Sequence, residues 1–71
     1  MEINKGKKLP YYVAAYNAVV AEFNSLADAL EFAQAKSAKF TAGWWTVHDR
    51  TQLDEGGNPF TFGIFDNGVE R

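Results

Sequence analysis

Apolar positions change their spacing along this chain, and the changes predict its elements. From Tyr11 to Phe23, YYVAAYNAVVAEF, aromatic and β-branched residues crowd on both sides of Asn17-Ala18, the pattern of two strands joined by a tight turn. From Asn24 to Lys39 the spacing becomes helical. Leu26, Ala29, Leu30, Ala33 and Ser37 fall on one narrow stripe, with Phe32 on its flank. Beyond Thr41-Ala42-Gly43, WWTVHDR (Trp44 to Arg50) and FTFGIF (Phe60 to Phe65) are two further strands. A polar loop punctuated by Gly56-Gly57 and Pro59 separates them.

The helix is marked at both ends. Ser25 followed by Asp28 is an N-cap pattern, in which the hydroxyl takes a backbone N–H that the first turn leaves unpaired. Asp28 and Glu31 sit near the positive end of the macrodipole, and Lys36 and Lys39 near the negative end. The stripe is rich in small residues, so the helix can sit close to a sheet but needs aromatic bulk from elsewhere.

A two-residue turn at Asn17-Ala18 places Tyr12, Ala14, Tyr16, Val19, Ala21 and Phe23 on one face. Tyr11, Val13, Ala15, Val20 and Glu22 then occupy the other. Phe23 leads into the helix, so its face is expected beneath it. Trp45 and Val47 are expected inward, with Trp44, Thr46, His48 and Arg50 opposite, and Phe60, Phe62 and Ile64 also inward. A right-handed crossover sets the second and third strands parallel, with the antiparallel first between them. The expected fold is α+β: strand-strand-helix-strand-strand, a four-stranded, antiparallel-type sheet of order 2-1-3-4 with one helix on one face. Residues 1–10, with Lys5, Lys7 and Lys8, are expected to be a flexible basic arm. Residues 11–65 form the single domain, and 66–71, after an Asp66-Asn67-Gly68 turn, a short tail.

Composition narrows the function more than the fold. Seventy-one residues hold one core, and the absence of cysteine excludes disulfides and thiolate zinc sites. The net charge of −2 argues against strong, sequence-independent attraction to phosphates. No apolar run approaches the roughly 20 residues that span a bilayer, and MEINKGKKLP has no signal-peptide core. A cytoplasmic protein is expected, with no membrane partner.

No reaction declares itself. His48 is the single histidine; no nucleophile elbow or triad accompanies it, and Asp49 beside it points to the other face of its strand. Asp54, Glu55 and Asn58 match no spaced oxygen-ligand loop, and Gly56-Gly57 lacks the context of a phosphate loop. No catalytic residue, metal ligand or cofactor is expected, and the protein reads as a non-enzyme.

The functional hint comes from counting layers. One helix covers one face, so the other would show Tyr11, Val13, Val20 and Trp44, rimmed by Thr46, Glu22, His48 and Arg50. Aromatic anchors beside an arginine have the composition of a protein–protein hot spot. The expected partner-binding set is Tyr11, Val13, Val20, Trp44, His48 and Arg50, with Trp44 and Tyr11 as anchors. Two other uses of this face stay open: a homodimer, and a single-stranded nucleic-acid platform with Lys7, Lys8 and Arg50 on phosphates.

From Phe23 onward, Ser25-Leu26, Ala29-Leu30-Glu31, Ala33, Ala42-Gly43 and Trp44 stand as they do in the small RNA-polymerase inhibitors of T7-type phages, which this half of the chain resembles. That family also pairs strands, enters a capped helix and leaves through Ala-Gly into an aromatic strand. The resemblance implies a stoichiometric inhibitor of a host protein, such as RNA polymerase or a replication or defence factor, in the host cytoplasm. The family's two polymerase-contacting arginines fall on His48 and Arg50, of which only Arg50 keeps the charge. The strand Phe60 to Phe65 is an addition to the family's pattern.

Overall fold

The computed structural model describes residues 9–41 and 43–71; positions 1–8 of the basic arm lie outside them. The elements are β1 (Tyr11–Ala15), β2 (Ala18–Phe23), α1 (Leu26–Lys39), β3 (Trp45–Leu53), β4 (Pro59–Asp66) and β5 (Val69–Glu70). The strands form one antiparallel sheet of order β2-β1-β3-β4-β5, and α1 packs against one face. The α+β architecture and the expected strand order therefore stand, with β5 added beyond β4. Among the described residues no helix is long and apolar enough to cross a membrane.

The helix begins where its cap dictates. Ser25 is extended and its hydroxyl accepts from the Asp28 N–H at 3.4 Å. The chain leaves the helix at Phe40, whose N–H still bonds the Lys36 carbonyl at 2.7 Å. Ala29, Ala33 and Ser37 are buried against the sheet. Their small size brings the helix close, and the space around them is filled by Val13, Ala15, Trp45, Val47 and Phe65, with Tyr11, Phe23, Leu26, Leu30, Phe32 and Phe62 packed at the margin.

The β1–β2 turn corrects the expected register. It closes on Tyr16 and Asn17, both left-handed at φ 54° and 64°, one residue earlier than Asn17-Ala18. Moving the turn by one residue shifts the pairing by two and leaves the faces as expected; an extra residue in β2 is what exchanges the faces of β1. Val13 and Ala15 are therefore buried and Tyr11 joins the core, whereas Tyr12 and Ala14 turn to the uncovered face. Ala21 and Phe23 keep their place under the helix because β2 is bulged. Val13 pairs with Ala21 but Ala14 pairs with Val19, so Val20 is an extra residue that shifts the alternation. Tyr16 and Val19, expected inside, are exposed.

A second bulge corrects β4. Val47 pairs with Gly63 and His48 with Thr61, leaving Phe62 as the extra residue. Beyond it Ile64, expected inward, lies opposite Thr46 on the uncovered face, and Phe65 is buried instead. Phe62 meets the core as expected, but Phe60 stays largely exposed, its ring edge-on to Phe62 at 5.0 Å.

Asp49 is the one buried carboxylate among the described residues. It accepts from the Thr51 hydroxyl at 2.6 Å, the Thr51 N–H at 2.8 Å and the Gln52 amide at 3.0 Å. These bonds, the hydroxyl's first, hold its carboxyl below the ordinary 3.8 against the opposing effect of burial. They also organise the stretch where β3 and β4 lose regular pairing, between Asp49 and Leu53.

The tail is tied to the helix. Asn67 and Gly68, at φ 56° and 82°, turn β4 into β5. The buried Ser37 hydroxyl donates to the Gln34 carbonyl at 2.9 Å and accepts from the Gly68 N–H at 2.9 Å, while the Gln34 amide donates to the Gly68 carbonyl at 3.2 Å.

Two predictions follow from these ties. Ser37→Ala leaves the Gly68 N–H without its partner and should cost about 1–3 kcal/mol in urea unfolding, with β5 amides losing exchange protection. Asp49 binds a proton less readily folded than unfolded, so its stabilisation is present above the ordinary carboxylate pKa and is lost as pH falls through its depressed value. Asp49→Asn should lower the urea midpoint at neutral pH and flatten the acid limb of a stability–pH profile.

Candidate functional site

The uncovered face of the sheet is half-polar. Tyr12 from β1 lies opposite His48 from β3, their rings stacked at 4.9 Å, and the Arg50 guanidinium sits 4.5 Å from the Tyr12 centroid. Both imidazole nitrogens face threonines: Nε2 is 2.8 Å from the Thr46 hydroxyl and Nδ1 is 3.1 Å from that of Thr61. The Thr46 hydroxyl also reaches the Ala14 carbonyl at 3.3 Å. Burial lowers the His48 pKa below 6.5, opposed by a bond to the Pro59 backbone.

Arg50 is committed within the molecule. Its Nη1 donates to the Leu9 carbonyl at 2.6 Å, its Nη2 reaches Glu22 at 3.0 Å, and its backbone N–H bonds the Pro10 carbonyl at 2.8 Å. The arginine singled out to orient a partner thus pins the entry of the chain to the sheet. His48 is likewise enclosed by side chains of its own face.

The expected partner set separates in space. Val13 is 0% exposed and unavailable to any partner. Tyr11 stands on the helix side, its ring edge-on to Phe62 at 6.5 Å. These two positions correct the reading that placed them on the open face; the cause is the β2 bulge at Val20. Val20 is exposed at the β2 bulge, on the edge of the sheet. Trp44 is 52% exposed just before β3, with the Arg71 guanidinium 4.8 Å from its ring and Arg71 bonded to Asp66 at 3.0 Å.

A different grouping emerges around Trp44. Because Ala14 pairs with Thr46 and Trp45 with Phe65, the β1–β2 turn, the start of β3 and the β4–β5 turn meet at one end of the sheet. The end of α1 arrives there too, with the Phe40 ring stacked 6.1 Å from Trp45. Tyr16, Phe40 and Trp44, three of the large exposed apolar side chains, gather at this end: Tyr16 and Phe40 both meet the Trp45 ring, and Tyr16 lies against Gly43 beside Trp44. Val19 on β2 and Val69 on β5 stand at opposite edges of the sheet. Lys36 lies 5.5 Å from the Phe32 ring and 5.7 Å from that of Phe40, and Lys39 lies 5.6 Å from Phe40. Neither lysine has a carboxylate partner among the described residues.

Sequence reasoning found Trp44 here and missed Tyr16, Phe40 and Arg71. Phe40 had one available signal, a phenylalanine immediately after the capped helix; Tyr16 had none, since tyrosine is unusual in the left-handed region. Among the described residues no three His, Asp or Glu side chains gather as a metal site.

The arrangement defines a small α+β domain with an exposed aromatic end rimmed by cations. Comparison with protein-family models, with curated proteins and with solved structures returns no match.

The enclosed imidazole makes a pH prediction. The unfolded chain takes up a proton near pH 6.5 that folded His48 resists, so stability should decline as pH falls below 6.5 toward the lowered value. Urea midpoints at pH 7.5 and 5.5 measure the decline, and His48→Gln should remove most of the difference.

Proposed function

We propose that this chain is a non-enzymatic protein that binds a host protein and inhibits or modulates it, in the manner of small phage accessory proteins. The observation that carries the reading is the gathering of exposed Tyr16, Phe40 and Trp44 around Gly43 and Trp45 at one end of the sheet. Exposed apolar groups of this size, collected rather than scattered, are the mark of an interaction surface. Trp44, half-exposed and stacked by Arg71, has the features of an anchor: a large ring with a cation beside it that a partner can desolvate. The phage context and the host cytoplasm rest on the resemblance of the helix and the strand after it; RNA polymerase, a replication factor or a defence factor are the targets it suggests.

Lys36 and Lys39 beside aromatic rings favour a second reading, a platform for single-stranded nucleic acid. Salt distinguishes the two, because phosphate binding weakens steeply with ionic strength.

The test is a pull-down from bacterial lysate with tagged protein, followed by affinity measurement on what is retained. Trp44→Ala should weaken a protein partner by about 2 kcal/mol, roughly 30-fold in Kd, while leaving the urea midpoint nearly unchanged. A folded Trp44→Ala variant that binds as tightly as the parent would remove the aromatic end as the docking surface. Retention of nucleic acid alone, released by salt, would replace this reading with the second.

A further inference from the structure

Asn67-Gly68 is the one Asn-Gly pair in the chain; the other asparagines precede Lys5, Ala18, Ser25 and Pro59. The pairing has a chemical consequence. A backbone nitrogen can attack the side-chain carbonyl of the asparagine before it, and a side chain on the attacking residue hinders the approach. Glycine has none, so the hindrance is least at Asn67. Pro59, lacking an N–H, closes the same reaction to Asn58. The fold nevertheless demands glycine here. Gly68 is left-handed at φ 82°, and a Cβ on it would stand 3.0 Å from the Ala38 Cβ. The close approach of the turn to the helix end thus requires the most reactive sequence.

What restrains the attacking nitrogen lies on the helix. The Gly68 N–H donates to the buried Ser37 hydroxyl at 2.9 Å. That hydroxyl spends its own proton on the Gln34 carbonyl, so its oxygen meets the turn as an acceptor. The Gln34 amide holds the same glycine by its carbonyl at 3.2 Å. Attack requires the nitrogen to lose its proton and swing toward Asn67, and both movements break the bond to Ser37. Downstream, Asp66 pairs with Val69 and Phe65 with Glu70. The Arg71 N–H bonds the Ile64 carbonyl at 2.7 Å, and its guanidinium lies 4.8 Å from the Trp44 ring.

We propose that Asn67 is a site of spontaneous modification, converted by water to aspartate and isoaspartate at a rate set by opening of the Ser37–Gly68 bond. The Gly68 nitrogen gives up its proton and bonds the side-chain carbonyl carbon of Asn67. The bond from that carbon to the amide nitrogen breaks, and ammonia leaves carrying the proton. Water then opens the resulting succinimide at either of its carbonyls. One product is aspartate, which keeps the backbone and adds a negative charge beside Asp66. The other is isoaspartate, whose main chain is longer by a methylene. A two-residue turn so lengthened cannot keep Asp66 opposite Val69 and Gly68 on Ser37 together. The β5 strand is then released, and with it the hold of Arg71 on Trp44. The inference is independent of what the aromatic end binds.

The experiment ages the protein at mildly alkaline pH and follows each asparagine by peptide mapping with mass spectrometry. Enzymatic methylation of isoaspartyl groups reports the second product. In the urea-unfolded chain Asn67 should convert faster than Asn4, Asn17, Asn24 or Asn58. Folding should slow Asn67 at least about tenfold, and Ser37→Ala should return at least about fivefold of that protection. Gln34→Ala, which leaves the N–H bonded, should return less. A measurement on the parent alone does not depend on any variant folding. Urea below the unfolding transition should raise Asn67 conversion and Gly68 amide exchange by the same factor. The purified isoaspartyl form should lose exchange protection at the β5 amides, whereas Asn67→Asp should keep it. Equal rates in the folded and unfolded chain, conversion that does not follow Gly68 exchange, or a faster asparagine elsewhere in the unfolded chain would each overturn the proposal. So would a folded Ser37→Ala variant that converts no faster than the parent.

Discussion

One indole joins the parts that a single helix cannot hold by itself. The helix offers the sheet Ala29, Ala33 and Ser37, which permit close approach but bury little apolar area. The missing bulk converges on Trp45. Its ring meets Tyr16 from the hairpin turn, Phe32 from the helix and Phe40 from the helix end, while its N–H donates to the Phe40 carbonyl at 3.3 Å. Full burial of a large apolar side chain contributes about 1.5–3 kcal/mol, and here that burial also sets where three separate segments of chain come together. The exposed aromatic end is the outer surface of this joint. Its geometry is inherited from the core rather than from a loop.

The contacts that stabilise and the contacts that could recognise are distributed unequally. On the open face, Arg50, His48 and Tyr12 are occupied with one another and with Glu22, Leu9 and the threonines. A partner arriving there would have to break bonds to make them. At the aromatic end Lys36 and Lys39 lie over rings and face no carboxylate among the described residues, so an incoming anion displaces water rather than an ion pair of theirs. Their placement also suits the negative end of the helix dipole, which makes the same two residues structural before any partner arrives.

The helix and the faces of β3 were legible because each was signalled locally: a cap at Ser25, charges at both ends, and alternation from Trp45 to Asp49 that the strand keeps. The faces of β1 and the end of β4 were not, because two bulges break the alternation on which such reading depends. The turn at Tyr16-Asn17 was hidden for a related reason. Its first residue bears a left-handed strain of about 1–2 kcal/mol that favours glycine or asparagine, and the compensating contact with Trp45 lies far away in sequence. Of the candidate site, Trp44 was visible as a tryptophan beside an inward-facing one. The company it keeps was not, since Tyr16, Phe40 and Arg71 are brought to this end only through tertiary pairing.

Ser37 couples two elements that would otherwise fray separately. The last turn of a helix and a two-residue strand are both weak places, and each alone would open readily. Here a single hydroxyl spans them, bonded within the helix to Gln34 and across to Gly68. Peeling of β5 and unwinding of the helix terminus become one cooperative event with one opening free energy. Since Arg71 follows one element and Lys36 and Lys39 lie on the other, the aromatic end would be lost or kept as a whole, and its preorganisation would show all-or-none behaviour in native-state hydrogen exchange.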